Sequence, residues 1–164
     1  MNLIGQIINA MIAYYAGDVR RINHFLKVYG FAKAIGEMEG LDESTQEIIE
    51  IAALTHDIGI KNSEKKYNSS AGNYQQIEGP PEAKKLLAEL GIELGVIDRV
   101  CWLIAHHHTY TDIQGIDYQI LVEADFLVNA YEDDMSHESI KNVCRKIQKL
   151  ERKCWIYYTK IFTV

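Results

Sequence analysis

The stretch that decides the fold lies at residues 48–59 and reads IIEIAALTHDIG. Its apolar residues follow the three- and four-residue spacing of a helix, and the run closes on His56 and Asp57. An ionisable pair at the end of an apolar helix is costly to bury unless it is paired or bound to a metal ion. The stretch therefore predicts a helix that presents His56 and Asp57 to partners from other elements.

Two further ionisable residues lie inside apolar helical segments. His24 lies between Ile22 and Phe25, and Asp125 lies within residues 120–128, which read ILVEADFLV. An unpaired carboxylate in such a segment would cost several kcal/mol in a core, so a cationic group should face Asp125. Two imidazoles and two carboxylates that converge from three helices form a nitrogen and oxygen site for a divalent metal ion such as Fe, Mn, Co, Ni or Zn.

Each of these residues also has a purely structural interpretation. His24 can be an ordinary hydrogen-bonded histidine of a helix, and His56-Asp57 can cap the end of one. Asp125 can pair with Arg21 or with Lys84. The ordered combination of the four residues is what favours a metal site over these separate interpretations.

The spacing of apolar residues is helical along the rest of the chain, and no segment alternates convincingly with a period of two. We therefore expect an all-α fold, a compact single-domain helical bundle over residues 1–164. Residues 60–77 are polar and are expected to form one long loop, a lid that selects the substrate. Gly79-Pro80-Pro81 predicts a break before the next helix. The predicted helices cover residues 3–15, 18–40, 42–59, 82–90, 97–107, 118–131 and 136–158, with N-caps at Asp18, at Asp42 or Ser44, and at Ser136.

The composition argues against several classes of protein. Of 164 residues, 48% are hydrophobic and 24% are charged, as in a globular domain and unlike a disordered or fibrous chain. The net charge of −6 argues against coating DNA or binding an anionic membrane, although it allows a small phosphorylated ligand. No apolar run approaches the ~20 residues of a membrane-spanning helix, and no secretory signal is evident. The three cysteines are expected to be reduced thiols in a cytoplasmic protein, with a disulfide between Cys144 and Cys154 as the alternative.

The order of the four ionisable residues carries a resemblance to a known family. His24, the segment ALTHDIG at residues 53–59 and the segment EAD at residues 123–125 resemble the HD-domain superfamily of metal-dependent phosphohydrolases. Its pattern is a histidine, a His-Asp pair and a distant aspartate, each on its own helix. The resemblance covers residues 18–132, and the helix at about 136–160 lies beyond it. It implies that His24, His56, Asp57 and Asp125 bind the metal ion.

Three other positions fit the resemblance less directly. Arg21 precedes His24 by one helical turn and resembles the phosphate clamp of relatives that act on nucleotides, with an exposed surface arginine as the alternative. Glu78 stands where many relatives have a histidine, so it can bind a second metal ion, position water or cap a helix. Lys61 follows the position where the family's lysine is expected, which is Ile60 in this chain.

The sequence also contains three consecutive histidines at residues 106–108. Consecutive helical residues point ~100° apart, so one helix cannot direct all three at one point. Relatives with a second metal ion or a phosphate-contacting histidine carry it three residues after Ile or Val. Ile104 therefore selects His107, with His108 next if the helix ends there, and His106 is expected to be solvated or paired.

The resemblance implies hydrolysis of a phosphate ester in a nucleotide or another small phosphorylated compound. Asp57 would orient a metal-activated water, while Arg21, Lys61 and His107 would neutralise the developing charge. Two alternatives remain: a nucleotide-sensing module without turnover, and a di-iron oxygenase, which needs about six ligands and so requires Glu78, His107 and His108 all to bind metal. No DNA or membrane partner is expected. The last helix can pack on its own chain or form a homodimer through its aromatic residues, which are Trp155, Tyr157, Tyr158 and Phe162.

Overall fold

The computed structural model describes residues 2–147, and this part of the chain forms eight helices and no strand. The expected all-α fold is confirmed. The helices are α1 (Leu3–Tyr14), α2 (Val19–Glu39), α3 (Glu43–Thr55), α4 (Ile60–Tyr67), α5 (Gly72–Glu89), α6 (Leu94–His106), α7 (Ile116–Glu132) and α8 (His137–Ile147).

Helix α2 begins and ends, and helix α3 begins, at the residues that the sequence predicts. The side chain of Asp18 accepts a hydrogen bond from the backbone N–H of Arg21, and Gly40 ends α2 in the left-handed conformation with φ of 71°. Asp42, rather than Ser44, caps α3 by accepting from the N–H of Thr45 at 3.0 Å. These local signals set both ends of α2 and the start of α3.

Helix α3 lies in the middle of the bundle and packs against α1, α2, α6 and α7. Every residue from Ile49 to Thr55 is buried, which explains why this stretch has apolar residues all round. The helix ends at Thr55 and not near Gly59, because residues 56–59 form a turn. In this turn the N–H of Ile58 donates to the carbonyl of Thr55. His56 and Asp57 therefore lie in a turn that directly follows the buried helix α3.

The prediction of one long loop at residues 60–77 is wrong. Helix α4 occupies Ile60–Tyr67, and α5 begins at Gly72, so only residues 68–71 separate the two helices. Asn68 ends α4 in the left-handed conformation with φ of 52°, which asparagine tolerates better than most residues. The lid role expected of a long loop therefore does not apply to this segment.

The polar composition conceals α4 because long-range contacts, and not an apolar face, hold this helix in place. At the start of α4 the contact is local, because the hydroxyl of Ser63 donates to the carbonyl of Gly59 four residues earlier at 2.8 Å. At the other end of α4, Lys66 and Tyr67 both donate to the carboxylate of Glu78 on α5. Such contacts depend on the tertiary fold, so the local sequence does not indicate them.

The predicted break at Gly79-Pro80-Pro81 is also wrong, because α5 continues through all three residues. The two prolines remove backbone donors from the helix interior, which is normally unfavourable. Close packing offsets this: a Cβ atom on Gly79 would lie 2.6 Å from Ile104 Cγ2, and one on Gly59 would lie 2.6 Å from the nitrogen of Gly79. Two facing glycines thus bring α5 against the turn that carries the His-Asp pair.

The last helix is confirmed at its start, where the hydroxyl of Ser136 accepts a hydrogen bond from the N–H of Ser139. The described part ends at Ile147, so the predicted continuation to Tyr158, its aromatic residues and Cys154 lie outside the described residues. Among the described cysteines, Cys101 and Cys144 are free. None of the described helices is long and apolar enough to cross a membrane.

We predict that Gly59→Ala destabilises the protein by about 1–3 kcal/mol, because the new methyl group collides with backbone atoms that cannot move aside cheaply. Gly30→Ala is the matched control: it lies within α2 with nothing within 4 Å of its Cβ position. This control should stabilise the protein by roughly 0.5–1 kcal/mol. Urea denaturation measures both values, and equal stabilities of the two variants would contradict the close contact.

Candidate metal centre

Four ionisable side chains meet at one point between α2, α7 and the turn that follows α3. His24 Nε2 lies 3.2 Å from His56 Nε2 and 3.4 Å from Asp57 Oδ2. Asp125 Oδ1 lies 3.3 Å from His24 Nε2 and 3.5 Å from His56 Nε2. The structure therefore brings together the four residues that the sequence predicts as metal ligands.

In each imidazole, the hydrogen bond made by Nδ1 determines whether Nε2, which faces the other side chains of the group, carries a proton or a lone pair. His56 Nδ1 lies 2.8 Å from the carbonyl oxygen of Ala53, which can only accept, so Nδ1 carries the proton. His24 Nδ1 lies 3.0 Å from a carboxylate oxygen of Glu132, with the same consequence. Each neutral ring then directs the lone pair of Nε2 at the other ring and at two carboxylates. Four electron-pair acceptors face one another, an arrangement that only a cation or added protons make favourable.

A second group of side chains shares Asp57 with the first. Asp57, His107 and His108 offer ligand atoms that lie within 4.8 Å of one another. His107 Nδ1 donates to the carbonyl of Ile104, while His107 Nε2 lies 3.6 Å from Asp57 Oδ1. This Nε2 atom is buried and has no hydrogen-bond partner among the described residues. Asp57 therefore faces the first group with one oxygen and the second group with the other.

Comparison with known proteins agrees with this arrangement. The HD domain profile matches residues 21–149, a span that includes all four predicted ligands. The chain belongs to the HD domain family. Its fold is similar to the crystal structure of a "predicted HD superfamily hydrolase" from an uncultured Thermotogales bacterium, with a TM-score of 0.61 and 20% identity over 97% of this chain and 90% of the other. A search of curated proteins gives no match.

The donor set of this HD domain fits a divalent transition-metal ion. Imidazole nitrogen combined with carboxylate oxygen suits Fe, Mn, Co, Ni or Zn, whereas Ca²⁺ and Mg²⁺ are held mainly by oxygen. The buried and unpartnered Nε2 of His107 is the second observation in favour of a cation, because such an atom is costly to leave without a partner. The residues present therefore fit the metal ion that the family implies.

The three consecutive histidines separate as the sequence predicts. His107 and His108 turn toward Asp57, whereas the ring of His106 stacks on Trp102 and its Nδ1 atom donates to the carbonyl of Trp102. Gly72 makes room for His108, since a Cβ atom there would lie 2.6 Å from the imidazole. Helix α6 ends at His106, which is why the next two residues can point to the same side.

The structure does not bring Lys61 or Glu78 to the two groups. Lys61 donates to the carbonyl of Tyr14 at 3.0 Å, so its ammonium group is directed at α1. Glu78 is only 5% exposed and is hydrogen-bonded to Lys66 and Tyr67 through its two oxygens. The hydrogen bond from Lys66 lowers the pKa of Glu78, which keeps the pair ionised. Glu78 therefore joins α4 to α5 in this structure.

The alternative partners proposed for Asp125 are occupied elsewhere. Arg21 pairs with Asp18 at 2.9 Å and with Glu64 at 2.5 Å, while Lys84 lies near Asp98. Asp125 is only 2% exposed, and its described partners are the two imidazoles and the side-chain amide of Asn129. A pairing of Asp125 with Arg21 or Lys84 is therefore wrong.

The electrostatics of the centre show how the protein compensates for its buried carboxylates when no metal ion is bound. Burial opposes the charged imidazolium, but contacts with Asp57 and Asp125 outweigh it, so the pKa values of His24 and His56 lie above the usual range. Burial would raise the pKa of Asp57, yet the charge of His56 holds it well below the usual value. His108 differs, because burial and then His107 lower its pKa to about 4 and leave its ring neutral at pH 7.

Two residues of the centre could not be found from the sequence because they contact the candidate ligands and not the point where these converge. Asn129 donates to Asp125 Oδ1 at 2.8 Å, and Glu132 accepts from His24. With Asp125 they are spaced at i, i+4 and i+7, so they lie on one face of α7. This polar stripe along an apolar helix is the signal that would have found them.

Tyr15 secures the His-Asp turn from the opposite side. Its hydroxyl donates to the backbone carbonyl of Asp57 at 2.6 Å, and the hydroxyl of Tyr14 donates to the carbonyl of Ile58 at 3.2 Å. These bonds satisfy carbonyl groups that are left without helical partners where α3 ends. Helix α1 therefore fixes the position of the turn although it supplies no ligand.

We predict that a chelator lowers the melting temperature of the wild-type protein by roughly 10 °C at pH 8, because it leaves buried carboxylates facing imidazole lone pairs. Asp125→Asn should make the melting temperature much less sensitive to the chelator, since the buried charge is gone. His107→Ala and His108→Ala should keep most of the sensitivity. Differential scanning calorimetry measures these shifts, and an unmoved wild-type curve would contradict the metal centre.

The same chelator effect should be smaller at pH 6. The raised pKa values of His24 and His56 mean that protonated imidazoles stabilise the metal-free protein fully below the unfolded-state pKa of about 6.5. This contribution is lost as the pH rises through the folded-state values. Asp57 and Asp125 remain ionised throughout this range, because their pKa values are lowered.

Proposed function

We propose that this protein is a metal-dependent phosphohydrolase that acts on a nucleotide or another small phosphorylated compound. The observation that carries the proposal is the set of four converging acceptors beside an open cavity with arginines in its wall. The hydrolase name of the structural neighbour supports it at the level of the fold. A hydrolase of this kind needs a cation, an ordered water and a positive group for the phosphoryl oxygens, and each requirement has a candidate here.

The cavity beside the centre has a volume of about 340 Å³. This volume lies within the range of pockets that bind small molecules. The residues of the cavity wall that bear on the proposal are Arg20, Arg21, His24, Asp57, His108 and Asn129. His56 and His107 are fully buried behind this wall. A substrate in the cavity therefore reaches His24, Asp57 and His108, while the fully buried imidazoles of His56 and His107 are shielded from it.

His24, His56, Asp57 and Asp125 would hold the metal ion, and His107 and His108 would join Asp57 around a second one. Such an ion supplies a water of lowered pKa and polarises a phosphoryl oxygen. The carboxylate of Asp57 borders the cavity with 17% of its side chain exposed, so it can accept a hydrogen bond from a water there and orient it. Buried Asp125 cannot take this task and is assigned to holding the ion.

Arg21 is the candidate for binding the phosphoryl group. Its guanidinium lies in the cavity wall one helical turn from His24, where Asp18 and Glu64 hold it in place. A phosphate oxygen that replaces the carboxylate of Glu64 would keep the guanidinium neutralised at little cost. We do not assign this task to Lys61, which is bonded to Tyr14, nor to His107, which is buried.

A second candidate function follows from the shared carboxylate of Asp57. Two irons held by the two groups would supply the chemistry of a di-iron oxygenase, which needs about six ligands. The two groups offer His24, His56, Asp57, Asp125, His107 and His108, whereas Glu78 is bonded to α4. A module that only senses nucleotides is disfavoured, because sensing does not require every one of these ligands.

Metal analysis combined with a substrate screen tests the proposed function. We expect bound transition metal in the purified protein and release of inorganic phosphate from at least one member of a panel of nucleotides and sugar phosphates. Asp57→Ala should lose metal and activity together while its helical circular dichroism is preserved. Two irons per chain without phosphate release would favour the oxygenase, and no metal would favour sensing.

We predict that Arg21→Ala lowers kcat/KM by roughly ten- to a hundredfold, since a charge-assisted contact contributes about 1.5–3 kcal/mol. Its metal content should equal that of the wild type, because Arg21 contacts no ligand atom of the centre. Arg145→Ala is the control, since it removes the same charge from the exposed face of α8. Equal kcat/KM values for the two variants would contradict a role of Arg21 in binding phosphate and would mean that it is an ordinary surface residue.

A further inference from the structure

The Nδ1 atoms of His24, His56 and His107 donate to two different kinds of acceptor. His56 and His107 each donate from Nδ1 to the backbone carbonyl three residues earlier, at 2.8 and 2.7 Å. His24 instead donates from Nδ1 to a carboxylate oxygen of Glu132 at 3.0 Å. The two kinds of acceptor go with position, because His56 and His107 follow the last turns of α3 and α6, whereas His24 lies inside α2 opposite Glu132 of α7.

Glu132 is itself fixed on both of its oxygens. The oxygen that does not face His24 accepts a hydrogen bond from the ammonium of Lys27 at 2.9 Å. Lys27 follows His24 by three residues on α2, so both residues face α7 on the same side of the helix. The carboxylate of Glu132 is therefore clamped between two residues of one helix, and only 13% of its side chain is exposed.

Helix α7 thus contacts the centre at two levels. Asp125 lies next to the Nε2 atoms of His24 and His56. Glu132, two turns later on the same face of α7, accepts a hydrogen bond from Nδ1 of His24. A shift of α2 against α7 would change both contacts at once. The orientation of the His24 imidazole therefore depends on how α2 packs against α7.

We infer that Glu132 is a positioning residue that holds His24 in the Nδ1–H form and strengthens its Nε2 atom as a metal ligand. A carboxylate behind a metal-bound histidine fixes the ring and increases the basicity of the ligating nitrogen more than a neutral partner does. Glu132 also borders the cavity, but among the residues of the metal centre it contacts His24 alone. The inference rests on the metal centre of the proposed function but does not depend on the reaction catalysed there.

The test is the affinity of the metal-free protein for Co²⁺, measured by competition with a chelator and followed through the visible absorption of the bound ion. Glu132→Ala should bind Co²⁺ roughly ten- to a hundredfold more weakly than the wild type. Glu132→Gln keeps an oxygen that can accept from His24 but loses the negative charge, so its affinity should lie between the two. Lys27→Met should weaken binding less than Glu132→Ala does, because it loosens the clamp without removing it.

Asp133→Asn is the matched control, since it removes the same charge one residue later, where the side chain faces Arg20 and not a histidine. Its Co²⁺ affinity should stay within about twofold of the wild type, because an exposed charge is well screened. Folding of every variant is checked by its circular dichroism without metal. Should Glu132→Ala not fold, Glu132→Gln and Lys27→Met still decide the question.

The possible outcomes separate the inference from the proposed function. Wild-type affinity in both Glu132→Gln and Glu132→Ala, or an equal loss in Asp133→Asn, would overturn the positioning role while the metal centre stands. Failure of the wild type to bind Co²⁺ would overturn the metal centre and the inference with it. Normal Co²⁺ results without phosphate release would overturn only the hydrolase, and the role of Glu132 would stand.

Discussion

The arrangement of the bundle depends on four electron-pair acceptors that face one another in an apolar interior. The imidazoles of His24 and His56 cannot be satisfied by each other, because each ring has its proton on the far nitrogen, nor can the nearby carboxylates satisfy them. Burying such groups is unfavourable until positive charge is placed between them. The apolar contacts of α2, α3 and α7 therefore hold together a centre that would otherwise push these helices apart.

Helix ends provide much of the precision of the centre. His56 and His107 both follow the last turn of a helix, where a carbonyl three residues back is available to fix Nδ1. The same local geometry thus orients two histidines from unrelated parts of the chain. It also explains why His106, still inside its helix, turns to Trp102 and does not join its neighbours.

The residues that converge at the centre could be found from the sequence because the cost of burying a charge is visible locally, as an ionisable residue within an apolar run. Helix α4 could not be predicted in this way, since it depends on Glu78 and on packing against a distant helix. The continuation of α5 through Pro80 and Pro81 depends on a contact between two glycines twenty residues apart. Glu132 lies one residue beyond the predicted end of its helix, and its role depends on how α2 and α7 pack.

The way in which α4 is attached has a consequence for access to the cavity. Ile60, the first residue of α4, borders the cavity, while the rest of the helix is tied down largely by the pairs Glu64–Arg21 and Lys66–Glu78. Half-exposed ion pairs weaken as salt screens them, whereas the burial of α3 does not. Local opening of α4 therefore requires less free energy than opening of the central helix, and still less at high ionic strength. We therefore expect this wall of the cavity to respond to the salt content of its surroundings more than the buried helix α3 does.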